Sequence, residues 1–201
     1  DIHKFNPDLF NKKHLKNTFN FSNDDIIFIC VTRLLWVKGI KELVDAFVDF
    51  NKLNNNSKLL IVGDSDKANP NAISTKFINY WNNKSNISFL GHRENIPELL
   101  AISDFFLYPT YLREGLPRGI LEALSMGLPI ITTNTPGCKL TVDNGINGFF
   151  VKPRSKSSLL KSMLLLNNID YSLMSSHSRE KSKKIFSQKI IFKKIEYIYK
   201  E

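Results

Sequence analysis

The chain has 201 residues, of which 42% are hydrophobic, and a net charge of +9. This length is enough for one domain with a proper core, and the sequence contains neither a targeting segment nor an apolar run that approaches a membrane span. Its two cysteines have no metal-ligand spacing and no signal peptide precedes them, so we predict a reducing, cytoplasmic compartment.

The positive charge is concentrated at one end of the chain. Residues 152–201 carry 12 basic and 4 acidic side chains, whereas residues 1–151 carry 16 and 15. Two interpretations of this basic tail stay open: a solvated helical face, or a surface for anionic lipid at the inner face of the membrane. Nucleic acid is not expected as a partner, because no basic-aromatic recognition pattern accompanies the charge.

Apolar runs alternate with helical patterns along the chain. This order predicts an α/β fold with a doubly wound parallel sheet of about six strands, flanked by helices. We expect a lead-in at 1–22 and one Rossmann-like domain at 23–201, which includes the basic helical tail from 152. Strands are predicted at Ile26–Val31, 58–62, 86–90, 104–108, 129–132 and at the end of 143–151. Helices are predicted at 38–53, 70–83, Ile96–Ile102, from Pro117 to just before Gly127, 155–167, 170–184 and 188–199.

Two glutamates flank the start of the helix predicted at Pro117. Glu114 lies in the preceding loop and Glu122 in an early turn of the helix. The N-terminus of such a helix, at the carboxyl edge of a parallel sheet, suits a phosphate group. A carboxylate there can instead accept hydrogen bonds from sugar hydroxyls. Either glutamate alone would be read as a solvated residue, but the whole arrangement predicts a ligand with both phosphate and hydroxyl groups.

The stretch around these glutamates resembles a known family. Glu114-Gly-Leu-Pro-Arg-Gly-Ile-Leu-Glu122 has the Glu-x7-Glu spacing of the retaining glycosyltransferases of the GT-B fold, family 4. Arg33 and Lys38, in Arg-Leu-Leu-Trp-Val-Lys-Gly, resemble the family's Arg-x4-Lys-Gly motif. The resemblance extends over about residues 1–151 and is weaker in the tail. Because residues 1–7 resemble the segment just after the family's interdomain linker, we expect this chain to be the C-terminal, donor-binding half, without the N-terminal acceptor-binding domain.

The resemblance implies transfer of a sugar from a nucleotide-sugar, often UDP-linked in the related bacterial enzymes, to an acceptor hydroxyl of a lipid-linked or saccharide acceptor. No metal or other cofactor is expected, because side chains and a helix terminus would neutralise the diphosphate. The implied roles are diphosphate binding by Arg33, Lys38 and the N–H groups of Gly115 and Leu116, donor-sugar contact by Glu114, ribose contact by Glu122, and base contact by Gly91, His92 and Arg93.

The sequence departs from the family pattern at two positions. In Gly63-Asp64-Ser65, Ser65 stands where the second glycine of a Gly-x-Gly pattern is often found, and Leu140 stands where glutamate is usual. Two other functions stay open: a nucleotide-sugar epimerase, for which His92 is the one histidine expected near the cleft, and a non-catalytic sugar-nucleotide-binding module. We expect the isolated chain to bind a donor without turning it over.

Overall fold

A computed structural model describes residues 1–66, 68–82 and 84–199. Its six strands form one sheet in the order β3-β2-β1-β4-β5-β6, and each neighbouring pair is parallel. The predicted fold class is therefore confirmed. The strands are β1 (Ile26–Val31), β2 (Ser57–Val62), β3 (Ile87–Gly91), β4 (Phe105–Tyr108), β5 (Ile130–Thr133) and β6 (Gly148–Val151).

Helices cover both faces of this sheet. None of those in the described ranges combines the length and the apolar character that crossing a membrane requires. They are α1 (Lys12–Thr18), α2 (Ile40–Leu53), α3 (Thr75–Trp81), α4 (Ile96–Ile102), α5 (Arg118–Ser125), α6 (Pro136–Lys139), α7 (Lys156–Leu165), α8 (Tyr171–Lys181) and α9 (Gln188–Ile198).

Alternate residues of each strand pack into two separate hydrophobic cores, one on each face of the sheet. In β1, Phe28 and Cys30 pack with residues of α2 and α7, while Ile27 and Ile29 pack with residues of α4 and α5. Both faces of the strand are therefore apolar, as expected for a parallel sheet that helices cover on both sides. Burial raises the pKa of the Cys30 thiol to about 12, so this cysteine is an inert core residue.

Helix α2 begins at Ile40, two residues later than predicted. A 3-10 turn, Trp36–Lys38, comes first, and Gly39 follows it with a φ of 73°. A Cβ atom at Gly39 would lie 2.3 Å from the carbonyl oxygen of Pro109, in the loop after β4. Glycine thus allows the loops after β1 and β4 to approach closely, and it leaves Lys38 in a loop rather than on the helix.

Three other predicted helices have different bounds. The helix predicted at 70–83 begins at Thr75, because Ser74 caps it by accepting a hydrogen bond from the Phe77 N–H, and Asn83 lies outside the described residues. After α7 the chain continues as a 3-10 turn, Leu166–Asn168. After α8 it passes into a π-helical turn, Ser182–Phe186, so neither predicted helix runs its full length as α-helix.

The structure also contains two helices that were not predicted, α1 and α6. Helix α1 has too few apolar positions for a clear period, but its buried Lys16 donates hydrogen bonds to the carbonyls of Asn23 (3.2 Å) and Asp25 (2.6 Å). The chain before α1 is held by Arg179 of α8, which donates to the Phe5 carbonyl (2.7 Å) and to Asn6 (3.0 Å). The lead-in therefore packs onto the domain.

Candidate functional site

The direction of the strand order changes between β1 and β4, in the middle of the sheet. These two strands pair directly, with Phe28 opposite Phe105, so the loops that follow them leave the same edge side by side. Ligands of open parallel sheets bind in the crevice formed at this switch point. Lys38 lies in the loop after β1 and Glu114 in the loop after β4, which brings two predicted site residues to this crevice.

Lys38 and Glu114 form an ion pair. The Lys38 ammonium lies 2.9 and 2.8 Å from the two carboxylate oxygens of Glu114, and it also donates to the Tyr108 hydroxyl at 3.0 Å. The Lys38 side chain is 5% exposed and that of Glu114 is 22% exposed. Because such a position removes most of the solvation of the ammonium, the carboxylate is needed to stabilise its charge.

Backbone contacts fix the loop that carries Glu114. The Val37 carbonyl accepts hydrogen bonds from the Tyr111 N–H (3.0 Å) and from the Thr110 hydroxyl (3.3 Å), which join the two loops. On the other side, a Cβ atom at Gly137 of α6 would lie 1.9 Å from the Gly115 carbonyl oxygen. The backbone of α6 therefore supports this loop directly, at a position where a side chain would displace it.

A second part of the site is a cleft of about 300 Å³ beside the start of α5. It brings together His92, Arg93 and Glu122, which were predicted to bind the nucleotide, but its lining does not include Lys38 or Glu114. Arg118 pairs with Glu122 at 2.8 Å through a largely exposed side chain. Asp64, which follows Gly63 in the loop after β2, accepts a hydrogen bond from the His92 N–H at 2.9 Å and so holds the loop after β3.

The start of α5 differs from the prediction. The helix begins at Arg118 with Pro117 as its N-cap, so Gly115 and Leu116 lie in the loop before it and are not its first residues. Within the described ranges, the backbone N–H groups of Gly115, Leu116, Arg118 and Gly119 make no hydrogen bond. Four backbone donors at the start of α5 are thus available to an anion.

Arg33 does not contact the Lys38–Glu114 pair. Its side chain is exposed, and it forms neither a hydrogen bond nor an ion pair with any described residue. Likewise, no group of three or more His, Cys, Asp or Glu side chains is arranged to hold a metal ion in the described part of the chain. The diphosphate role of Arg33 and the independence from metals both stay predictions.

Tyr108 is a site residue that the sequence did not reveal. It is the last residue of β4, is 5% exposed, and donates a hydrogen bond to Glu114 Oε1 at 3.2 Å while it accepts one from Lys38. Burial raises the pKa of its hydroxyl, and the Glu114 carboxylate acts in the same direction. The one available signal was a polar atom at the carboxyl end of an otherwise apolar strand.

The chain belongs to the family described as Glycosyl transferases group 1, whose profile matches residues 11–184. It is 31% identical over 140 residues to the N,N'-diacetylbacillosaminyl-diphospho-undecaprenol alpha-1,3-N-acetylgalactosaminyltransferase of Campylobacter jejuni, covering 70% of this chain and 35% of the relative. It is also 31% identical over 185 residues to the UDP-Gal:alpha-D-GlcNAc-diphosphoundecaprenol alpha-1,3-galactosyltransferase of Escherichia coli. This match covers 90% of this chain and 47% of the relative. The chain thus spans half or less of the length of these two relatives.

Solved structures confirm the fold. HepE from Anabaena, in complex with UDP, matches with a TM-score of 0.86 at 21% identity, over 100% of this chain and 55% of that one. The C-terminal domain of a glycosyl transferase group 1 protein from Francisella tularensis matches with a TM-score of 0.77 at 16% identity, over 94% of this chain and 98% of that domain. The described domain therefore has the architecture of the C-terminal half of a GT-B fold.

We predict that replacing Lys38 destabilises the fold, because it leaves the Glu114 carboxylate partly buried without its cation. Lys38→Met keeps the length of the side chain, and we expect it to lower the free energy of unfolding by about 1–3 kcal/mol. Lys41→Met is the control: it removes an exposed partner of Asp45, and its effect should stay below about 0.5 kcal/mol. Urea denaturation measures both, and equal losses would contradict a special role for the buried pair.

Proposed function

We propose that this chain is the donor-binding part of a retaining glycosyltransferase that uses a UDP-sugar. The observation that carries the proposal is the pairing of Lys38 with Glu114 at the switch point, together with a Glu122-lined cleft and four backbone donors that have no partner among the described residues. This arrangement offers separate groups to a diphosphate, a sugar and a nucleoside. The two relatives are named as transferases, and this favours transfer over epimerisation. One of the names specifies UDP-Gal, and this favours a UDP-sugar as the donor.

The division of roles follows from charge and position. Lys38, Arg33 and the N–H groups of Gly115, Leu116, Arg118 and Gly119 would neutralise the diphosphate as it leaves, so that the reaction needs no metal ion. Glu114 would accept hydrogen bonds from hydroxyls of the donor sugar. Glu122 would do the same for the ribose, beside His92 and Arg93 at the base. We name no catalytic base, since the donor phosphate can itself help to deprotonate the acceptor.

The acceptor would be bound largely outside this chain, in the N-terminal domain of the full-length protein. The lengths of the two relatives named above support this proposal, because the chain spans half or less of each. Both relatives carry diphosphoundecaprenol acceptors in their names. We therefore propose a lipid-linked saccharide acceptor, in the synthesis of a bacterial surface polysaccharide at the cytoplasmic side of the membrane, and no turnover by this chain alone.

Calorimetric titration with UDP, GDP and ADP tests the nucleotide site. We expect UDP to bind, and Glu122→Ala to weaken its binding about 10- to 100-fold, because charge-assisted hydrogen bonds to the ribose are lost. The loss should be smaller for 2′-deoxy-UDP, which lacks one of those hydroxyls. Glu180→Ala, at an exposed position on α8, is the control and should change the affinity less than about twofold.

Two outcomes would contradict this assignment. Unchanged UDP binding in Glu122→Ala would remove the ribose role from that residue. Absence of binding for all three nucleotides, in both the isolated chain and the full-length protein, would show that the cleft is not a nucleotide site.

We also propose that the basic tail contacts an anionic membrane surface. Helix α9 exposes a set of large apolar side chains, and lysines accompany them on α9 and on the turn before it. The exposed residues are Phe192, Ile195, Tyr197, Ile198 and Tyr199, and the lysines are Lys183, Lys184, Lys189 and Lys193. Apolar residues beside cations are typical of helices that lie in the interface of an anionic bilayer.

Flotation with phosphatidylglycerol vesicles tests this contact. We expect the chain to float with the vesicles at low salt and to be released at high salt, because the attraction is screened. Replacing the four lysines of 183–193 by glutamine should abolish flotation. The control replaces four exposed lysines elsewhere by glutamine: Lys13, Lys41, Lys52 and Lys76. It changes the net charge by the same amount, and the protein should still float. Equal losses in the two variants would point to net charge alone.

A further inference from the structure

Tyr108 closes a ring of hydrogen bonds with Lys38 and Glu114. Its hydroxyl accepts from the Lys38 ammonium at 3.0 Å and donates to Glu114 Oε1 at 3.2 Å, while Lys38 contacts both carboxylate oxygens. Each of the three side chains therefore contacts the other two. Tyr108 is the one uncharged member, and its burial at the end of β4 fixes where its hydroxyl lies.

The ring poses a problem of charge for the proposed function. In the described structure both carboxylate oxygens of Glu114 are occupied by the Lys38 ammonium. A bound diphosphate would attract that ammonium and repel the carboxylate. Glu114 would then need another donor in order to keep its position, and that donor should be uncharged, so that it does not compete for the diphosphate.

We propose that Tyr108 is a positioning residue, which holds Glu114 Oε1 while Lys38 turns to the diphosphate and leaves Oε2 free for a hydroxyl of the donor sugar. This inference rests on the proposed function. The asymmetry of the ring carries it, because Tyr108 bonds to one carboxylate oxygen, whereas Lys38 bonds to both. Burial keeps the hydroxyl protonated, so that it remains a donor.

A role in packing alone makes a different prediction. The Tyr108 ring stacks on Phe106, with centroids 6.3 Å apart and an angle of 14° between the planes. If packing were its whole contribution, phenylalanine would replace it without loss. If Tyr108 simply supported Lys38, its removal would weaken the binding of UDP and of UDP-sugars to the same extent.

The test compares UDP with UDP-sugars in Tyr108→Phe, by calorimetry on the 201-residue chain. The probes are UDP-galactose, UDP-N-acetylgalactosamine and UDP-glucose, and the one that the unaltered chain binds most tightly serves for comparison. We expect its dissociation constant to rise about three- to tenfold, and that of UDP to change less than about twofold, because one hydrogen bond to Glu114 is lost. Tyr111→Phe is the matched control, since the Tyr111 hydroxyl makes no hydrogen bond within the described ranges.

A second variant shows whether Tyr108 acts through Glu114. In Glu114→Gln, the further change Tyr108→Phe should add little to the loss of UDP-sugar binding, because the two side chains form one unit. Additive losses, equal losses for UDP and UDP-sugar, or unchanged binding of both would overturn the inference. If the unaltered chain binds UDP but none of the UDP-sugars, the inference also fails. Absence of UDP binding would instead overturn the proposed function, and this inference with it.

Discussion

The ion pair between Lys38 and Glu114 is the interaction on which the site depends. It joins the loops after β1 and β4, and the sheet order makes those loops neighbours. The charge of the Lys38 side chain, which is 5% exposed, is stable there because both oxygens of the Glu114 carboxylate lie within 2.9 Å of the ammonium. Gly39 permits the close approach of the loops, and the Val37 carbonyl fastens them together. The backbone contacts and the ion pair thus hold the two loops in the same relative position.

In the proposed function, the site would divide the parts of a nucleotide-sugar between different groups. Glu122, His92 and Arg93 line a cleft in which a nucleoside can lie, while Lys38, Glu114 and Tyr108 form a separate cluster beyond its lining. The N–H groups near the start of α5, which have no partner among the described residues, belong to the segment between Glu114 and Glu122. Backbone donors of this kind and an ammonium both suit a diphosphate.

Much of the fold could be predicted from the sequence because buried parallel strands are continuous apolar runs. β1 and α4 have the predicted bounds, whereas the start of α2 depends on a positive φ at Gly39, which hydrophobic periodicity does not encode. The motifs of Lys38 and Glu114 could place both residues at the same site, but they did not predict the ion pair between them. Tyr108 could not, because a tyrosine at the end of an apolar strand looks like core, and its role depends on two residues 70 and 6 positions away.

The most direct test of the account is an NMR titration of the ¹⁵N-labelled chain with UDP. We expect the amide signals of Gly115, Leu116, Arg118 and Gly119 to shift as UDP is added, since these N–H groups have no partner among the described residues. Signals from the loops after β1 and β3 should shift with them, and those of α9 should not. Shifts confined to other surfaces, such as the groove between β6 and α7, would contradict the account, because UDP would then bind away from the Lys38–Glu114 pair.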